Sequence, residues 1–406
     1  MRIALTANGP GEVAGWVRPL VRRLYEHAPD TDVFLFLVPD EYATGYEADL
    51  ARRLFPSAHV YDPKTYVRVA LGQSAQGIPD RVDVVQYLGG DLMHAMRLHK
   101  RFQGSVSTYK FSKKRYSARW ARAFAVDQKS VNELLEWGVP KQRIRKVGNL
   151  AIDGALLEAQ APLEEGAPRD GILIMPGSRR YEVENMVSFF FSAALRIVRE
   201  RPGTPIAFGI SPFTPLEDVR RAIERGGHPR LWAERGRLIE SSGHPALASL
   251  DGNIRFPLLR NALAAATRAR LVVTLPGTKC IELAALGVPM ITTTPLNAPE
   301  VITFNGPLTY LDRIPFVGVP LKRAVAVGVS RRFKYHTQPN IDAGAMIVHE
   351  LHGTIMAGHV ARVILERYDD REWLKSSSAR LSSLYGDHVG AADRMAESLL
   401  QLAGSY

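Results

Sequence analysis

Apolar positions along this chain come in short runs rich in Val, Ile and Leu, and the stretches between them repeat apolar residues every three or four positions. That alternation predicts strands exchanging with helices, the grammar of a parallel sheet covered on both faces. In the first half the runs predict strands at Arg2–Ala7, Asp32–Val38, Asp83–Leu88, Ser105–Tyr109, Ala123–Val126 and Ile144–Val147. Between the first two, Trp16–His27 places Val17, Leu20, Val21 and Leu24 on one helical face. A stretch rich in Pro, Gly and Glu, Ala161–Asp170, reads as a domain boundary. The grammar then restarts with a strand at Gly171–Met175, a turn at Pro176–Arg180 and a helix at Tyr181–Arg199. Strands follow at Pro205–Ile210, Leu238–Glu240 and Leu271–Leu275, and from about Met346 the pattern is helical to the end, with Gly386 and Gly390 separating the last segments. The expected division is an α/β domain over 1–160, a second over 171–350, and a helical tail over 351–406 packing back toward the first.

The chain is organised around Val272–Pro299, which reads as strand, glycine turn, helix, strand and Pro-rich loop. Pro276-Gly277-Thr278 breaks the chain before a helix from about Lys279 to Leu286, and Gly287 ends that helix. A helix entered through Gly277 and Thr278 offers backbone N–H groups and the positive end of its dipole, which suits a phosphate. Glu282, one turn in, has a carboxylate able to accept from both hydroxyls of a ribose. The same stretch also fits an ordinary strand–helix–strand unit with a solvated glutamate. Gly177-Ser178-Arg179 forms a second phosphate-sized loop with arginines behind it.

The first strand-to-helix turn, Asn8–Gly15, opens like a dinucleotide fingerprint but departs from it. Gly15 comes one residue late and Pro10 removes a backbone donor, although Asp40 stands where a ribose acid would. Gly11 and Glu12 remain candidates because ligands of such folds bind at the carboxyl ends of parallel strands. Asp30-Thr31-Asp32 spells a metal-type D-x-D, yet it joins a helix end to a strand start and reads as a solvated turn.

At 406 residues the chain exceeds one compact core. Hydrophobic residues make up 46%, and no apolar run approaches the ~20 residues of a spanning helix. Met1-Arg2 runs directly into the first strand, without the layout of a signal peptide. The one cysteine, Cys280, excludes an intrachain disulfide and fits a reducing compartment. A net charge of +11, from 52 Lys and Arg against 41 Asp and Glu, favours an acidic partner. Nucleic acid is supported by charge alone, without zinc-finger spacing, RNA-binding aromatics or a basic tail. Tyr109–Arg122 interleaves Lys113, Lys114 and Arg115 with aromatics including Trp120, as a headgroup boundary requires. A solvated helix with part of its aromatics in the core is the alternative.

These pieces together resemble one family. PGSRRYEVENM at Pro176–Met186 is similar to the P-G-S-R-x-x-E-[IV] run of bacterial lipid-A-disaccharide synthases, and PGTKCIELAALGVPM is similar to their S-G-T-A-T-L-E-x-x-x-x-x-x-P-M. VGNLAIDGA resembles their V-G-H-P-L-V-D, Pro339–Leu351 with Asn340 resembles their P-N-L-x-A-x-x-x-V-x-E-L, and GEVAGW at Gly11–Trp16 resembles their G-E-x-S-G-D. The resemblance implies a GT-B glycosyltransferase: two Rossmann-like domains facing across a cleft, the second binding a UDP-sugar and the first an acceptor. It implies a cytoplasmic enzyme, peripheral on the inner face of the membrane, that inverts the anomeric carbon and needs no metal or other cofactor. The donor would be a UDP-sugar carrying a glucosamine-type group, and the acceptor a lipid-linked or acylated sugar. Donor-side residues would be Gly177, Ser178, Arg179, Gly277, Thr278, Glu282 and Asn340. Gly11, Lys113, Lys114, Arg115 and Trp120 would lie on the acceptor or membrane side. The chain departs from the family where Trp16 replaces an aspartate, Ala345 replaces an arginine, and D-A-P-D-F survives only as Gly90-Asp91-Leu92-Met93-His94, so the resemblance implies a retained donor side more than a particular acceptor. Pro276 and Lys279 replace small residues before the donor helix.

An inverting transfer needs a base at the acceptor hydroxyl and positive charge at the departing diphosphate. Asp91, at the carboxyl end of a strand, is the preferred base, with His94 and then Glu12 behind it. The alternative for Asp91 is an N-cap. Rival readings are a UDP-N-acetylglucosamine 2-epimerase, the peptidoglycan N-acetylglucosaminyltransferase, or a non-catalytic nucleic-acid-binding or regulatory protein on the same scaffold. The oligomeric state stays open, a homo-oligomer included.

Overall fold

A computed structural model describes residues 1–39, 47–109, 116–212, 214–241, 243–297 and 333–404, with Gly328. Asp40, Lys113, Lys114, Arg115, Ala298 and Pro299 lie outside the described residues. The chain divides into two compact units: Met1–Leu157 with Asp387–Tyr406, and Glu158–Gly386.

The first unit is a seven-stranded parallel sheet. Its strands are β1 (Arg2–Ala7), β2 (Asp32–Leu37), β3 (His59–Tyr61), β4 (Val84–Tyr87), β5 (Ser105–Tyr109), β6 (Arg122–Ala125) and β7 (Ile144–Lys146), in the order β3-β2-β1-β4-β5-β6-β7. Side chains alternate across the strands, so Ile3 and Leu5 enter one hydrophobic cluster and Ala4 the other. The first cluster is closed by Met395 and Leu399 of the helix Ala391–Gly404. Asp153 holds that helix in place by accepting from the N–H groups of Gly390 (2.8 Å) and Ala392 (2.6 Å).

The second unit is an eight-stranded sheet in the order β10-β11-β12-β9-β8-β13-β14-β15. Here β8 is Ile172–Ile174, β9 Ile206–Gly209, β10 Arg237–Ser241, β11 His244–Ala248, β12 Arg255–Leu259, β13 Leu271–Thr274, β14 Met290–Pro295 and β15 His349–Gly353. The pairs β10–β11 and β11–β12 are antiparallel and the rest parallel. The helix Arg180–Glu200 buries Phe189, Phe190 and Phe191 completely, each worth roughly 1.5–3 kcal/mol of apolar transfer.

One expectation fails here. The chain is not helical throughout from Met346, because His349–Gly353 pairs with β14 in the register Thr292↔Glu350. The strand itself, His-Glu-Leu-His-Gly, is polar at three positions and follows the apolar Ile347-Val348, so its pairing with β14 overrides the local helical spacing. The helices Ala357–Asp369, Arg371–Leu384 and Ala391–Gly404 follow. The first two belong to the second unit and the last to the first. Among the described residues no helix is long and apolar enough to cross a membrane.

Candidate active site

In a parallel α/β sheet the ligand crevice opens outside the carboxyl ends of the strands, where the strand order reverses. In the first unit that point lies between β1 and β4, which pair directly. The loop after β1 carries Glu12, whose Oε2 accepts from the Asn8 N–H at 3.0 Å. The loop after β4 meets it: a Cβ on Gly89 would overlap the Glu12 carboxylate, and one on Gly90, at φ +83°, would overlap Val38. The Gly89-Gly90 pair therefore lets two loops close on each other where no side chain fits. Tyr87 donates to the Gly90 carbonyl at 2.8 Å, and burial, with the nearby charges of Glu12 and Asp91, pushes its phenol far up.

Asp91 is exposed and caps the helix Leu92–Phe102, its Oδ1 accepting from the Met93 N–H at 2.8 Å. The capping alternative is thus realised, at a position that also faces the crevice. His94 sits one turn on, half-buried, with Nδ1 2.7 Å from the Tyr66 phenol oxygen and its ring edge-on to Tyr66. Burial, reinforced by the Arg97 charge and opposed by Asp91, holds the imidazole below its ordinary range and so neutral at pH 7. Glu12, Asp91 and His94 are therefore brought to one end of one sheet. Tyr66 and Tyr87 were missed from sequence, since Tyr66 lies 28 positions from His94 and no local pattern joins them.

Gly11 is exposed with no atom near its missing side chain. Gly15, the late glycine of the fingerprint, serves packing: a Cβ on Gly154 would lie 2.7 Å from the Gly15 carbonyl oxygen, so the two backbones touch. Trp120 requires a correction. It is fully buried in the core beside Phe102 and Leu134, and Tyr109 is buried as well, so these rings cannot lie in a lipid headgroup layer. Two of the aromatics in the interleaved basic and aromatic segment thus serve core packing, while its cations Lys113, Lys114 and Arg115 lie outside the described residues.

In the second unit the order reverses between β8 and β13, and the two loops singled out in the sequence follow these two strands. The strand ends are tied by the Met175 N–H to Val273 O (2.8 Å) and the Thr274 hydroxyl to Met175 O (3.1 Å). Gly177 adopts φ +108°, and the Ser178 and Arg179 N–H groups donate to Glu182 Oε2 at 3.0 and 3.1 Å. Gly177 and Ser178 therefore shape a turn capped from within rather than offering those donors to a phosphate. Arg179 keeps a half-exposed guanidinium, 3.1 Å from the Tyr181 phenol and 3.5 Å from Glu182.

The turn after β13 is different. Gly277 is extended, with open space where a side chain would stand, and the helix Thr278–Ala285 starts directly after it. The Cys280 N–H donates to the Gly277 carbonyl at 3.1 Å, and the two N–H groups before it stand ahead of the first helical bond. Glu282 is not a solitary acceptor: its carboxylate pairs with the Lys279 ammonium one turn earlier. Burial alone would lower the Lys279 amine, but the charges of Glu282 and Glu158 raise it above its ordinary range and keep it protonated. Burial pushes the Glu282 carboxyl up, against the pull of Lys279. The i, i+3 spacing of this pair was readable in the sequence. Cys280 is buried, its thiol pushed up to about 12 by burial, which leaves it inert.

Asn340 is the second correction. It is fully buried and its amide is saturated: Oδ1 accepts from the Ile347 N–H (2.7 Å) and Val348 N–H (2.8 Å), and Nδ2 donates to Val348 O (2.9 Å) and Glu350 Oε1 (2.7 Å). With both donors and both acceptor directions used, the side chain staples the entry to β15 and has nothing left for a nucleotide.

The backbone matches known sugar-nucleotide enzymes over its whole length. It superposes on the UDP-N-acetylglucosamine 2-epimerase of Neisseria meningitidis, bound to UDP-GlcNAc, with a TM-score of 0.56 at 13% identity, covering 99% of this chain and 100% of that one. A second UDP-N-acetylglucosamine 2-epimerase gives 0.59 at 14% identity over 100% and 96%. The fold is GT-B. In sequence, 120 residues are 32% identical to the lipid-A-disaccharide synthase of Ruegeria pomeroyi, covering 30% of this chain and 26% of the relative. A further 31% identity over 121 residues links it to the lipid-A-disaccharide synthase of Pseudomonas paraeruginosa, covering 29% and 30%. Each match thus spans under a third of the curated relative. No family model matches the chain.

Proposed function

We propose that this protein is a UDP-sugar enzyme that transfers a glucosamine-type sugar, with inversion, to a lipid-linked or acylated sugar acceptor. The observation that carries the reading is that the acidic cluster of the first unit and the glycine-entered helix of the second each occupy the switch point of their sheet. The sequence matches to lipid-A-disaccharide synthases favour transfer, and the structural neighbours keep 2-epimerisation as the second reading. In the transfer, Asp91 takes the proton from the acceptor hydroxyl as its oxygen bonds to the anomeric carbon. The bond from that carbon to the diphosphate breaks, and UDP leaves with the electron pair. Arg179 and the start of the helix Thr278–Ala285 stabilise the charge that gathers on the leaving group.

Thermal unfolding tests the donor class. UDP at ~100 times its dissociation constant should add roughly 2.7 kcal/mol, and NAD should add nothing. Stabilisation by NAD and not by UDP would overturn the assignment.

An anionic membrane surface is the proposed location; Lys113, Lys114 and Arg115 lie outside the described residues, and two described helices also carry cations that suit such a surface. The neighbouring helices Pro63–Ala70 and Leu92–Phe102 contain Lys64, Arg68, Arg97, Lys100 and Arg101 and no Asp or Glu. Val67 and, just past the first helix, Leu71 are 41% and 71% exposed. Apolar side chains flanked by cations suit a headgroup layer. The protein should sediment with anionic and not neutral vesicles, and salt should release it. Replacing Arg68 and Lys64 by Gln should weaken binding by about 1 kcal/mol per charge. Binding indifferent to salt and to these changes would exclude this face.

A further inference from the structure

The donor helix carries an ion pair that a plain ribose-binding glutamate would not need. Lys279 and Glu282 stand one turn apart at the start of the helix Thr278–Ala285, directly after the open turn at Gly277. Their exposures differ: the Lys279 side chain is 33% accessible and that of Glu282 only 13%. Of the two side chains the lysine is therefore the more accessible. The charge of Glu158 also acts on both groups, while the contact of the ammonium is with Glu282. The lysine stem is flexible and its three donors rotate freely, so it can change partners without moving the helix. A diphosphate offers it more negative charge than one carboxylate does, and the first N–H groups of the helix point to the same place.

We infer that the Lys279–Glu282 pair is the resting state of the donor site and that a nucleoside diphosphate parts it. The ammonium passes to the diphosphate, and the freed Glu282 carboxylate accepts from the ribose hydroxyls. The inference rests on the donor assignment proposed above. It gives Lys279 a role in this chain that the small residue at the matching place of the synthase motif cannot perform.

The consequence is a difference between ligands with and without phosphate. Uridine must break the ion pair to reach Glu282 and offers Lys279 no replacement, whereas UDP repays both partners. Calorimetric titration of the full chain with UDP and with uridine reads this directly. Lys279→Met should weaken UDP binding roughly 10- to 100-fold, the scale of a hydrogen bond to a charged group, while uridine binds as before or more tightly. Glu282→Gln should weaken both ligands, because the ribose contact is common to them. Lys279→Arg, which keeps the charge, should hold UDP affinity within a few-fold. Equal loss of UDP and uridine in Lys279→Met would make the pair a structural brace, and unchanged UDP binding would remove Lys279 from the site; either result overturns the inference. Should Lys279→Met fail to fold, the double variant Lys279→Met, Glu282→Gln leaves no unpaired carboxylate, and its preference for UDP over uridine should still shrink at least tenfold. If the unaltered protein binds neither ligand, the donor assignment itself fails, a result distinct from UDP binding that ignores residue 279.

Discussion

Asp91→Asn is expected to lower turnover by ~10² to 10⁴, with the melting temperature nearly unchanged. The structure sharpens this test, because Asp91 caps the helix Leu92–Phe102 through the Met93 N–H. Asn caps a helix as well as Asp does, so the substitution removes the proton acceptor and keeps the cap. A purely structural Asp91 would leave both activity and stability in place. UDP affinity should also survive, since the base serves the acceptor. If His94→Ala abolishes transfer and Asp91→Asn does not, the base is the imidazole. Its pKa is held low by burial, so the rate would then stay level at pH 7 and fall only as pH drops below the ordinary imidazole value of about 6.5. The sign for stability is the same: the unfolded ring binds a proton first, so acid below about 6.5 favours unfolding until the folded ring protonates too.

The second large effect concerns stability rather than chemistry. Asn340→Ala removes four hydrogen bonds and leaves the Ile347 and Val348 N–H groups and Glu350 short of a buried partner. The expected cost is on the order of 3–5 kcal/mol. At roughly 2–4 °C per kcal/mol that is a fall of roughly 6–20 °C in melting temperature. The folded fraction should bind UDP as before. A variant that melts like the parent but loses UDP would restore Asn340 to the donor site.

Why Asn340 and Trp120 misled is physical. A polar residue inside a motif and an aromatic residue beside cations look alike whether they face a ligand or the core, and only burial separates the two cases. Period and turn chemistry carry further. The runs at Arg2–Ala7 and Leu271–Leu275 announced parallel strands, and Gly277 with Thr278 announced a helix start, because local backbone rules fix both. Strands β11 and β12 were hidden, since Pro245 and Pro257 argue against sheet and only tertiary pairing, of β11 with β10 and β12 and of β12 with β9, makes them strands. β15 was hidden by its helical surroundings and exists through its register with β14. Within the site, Glu12, Asp91 and His94 were readable as residues beside strand ends. Their supports were not: Tyr66 reaches His94, and Gly89 admits Glu12, only through tertiary packing. Lys279 was the reverse case, a visible i, i+3 partner of Glu282 whose effect on that carboxylate emerged only in the fold.

The central claim is inverting transfer from a UDP-sugar, and the anomeric outcome tests it most directly. Purified protein is incubated with UDP-N-acetylglucosamine or its acylated glucosamine counterparts, with and without an acylated glucosamine phosphate acceptor, and the anomeric proton couplings are followed by NMR. The account predicts UDP release only when acceptor is present, with an α-linked donor giving a β-linked disaccharide. Conversion of UDP-N-acetylglucosamine to its 2-epimer without any acceptor, or an α-linked product, would contradict it.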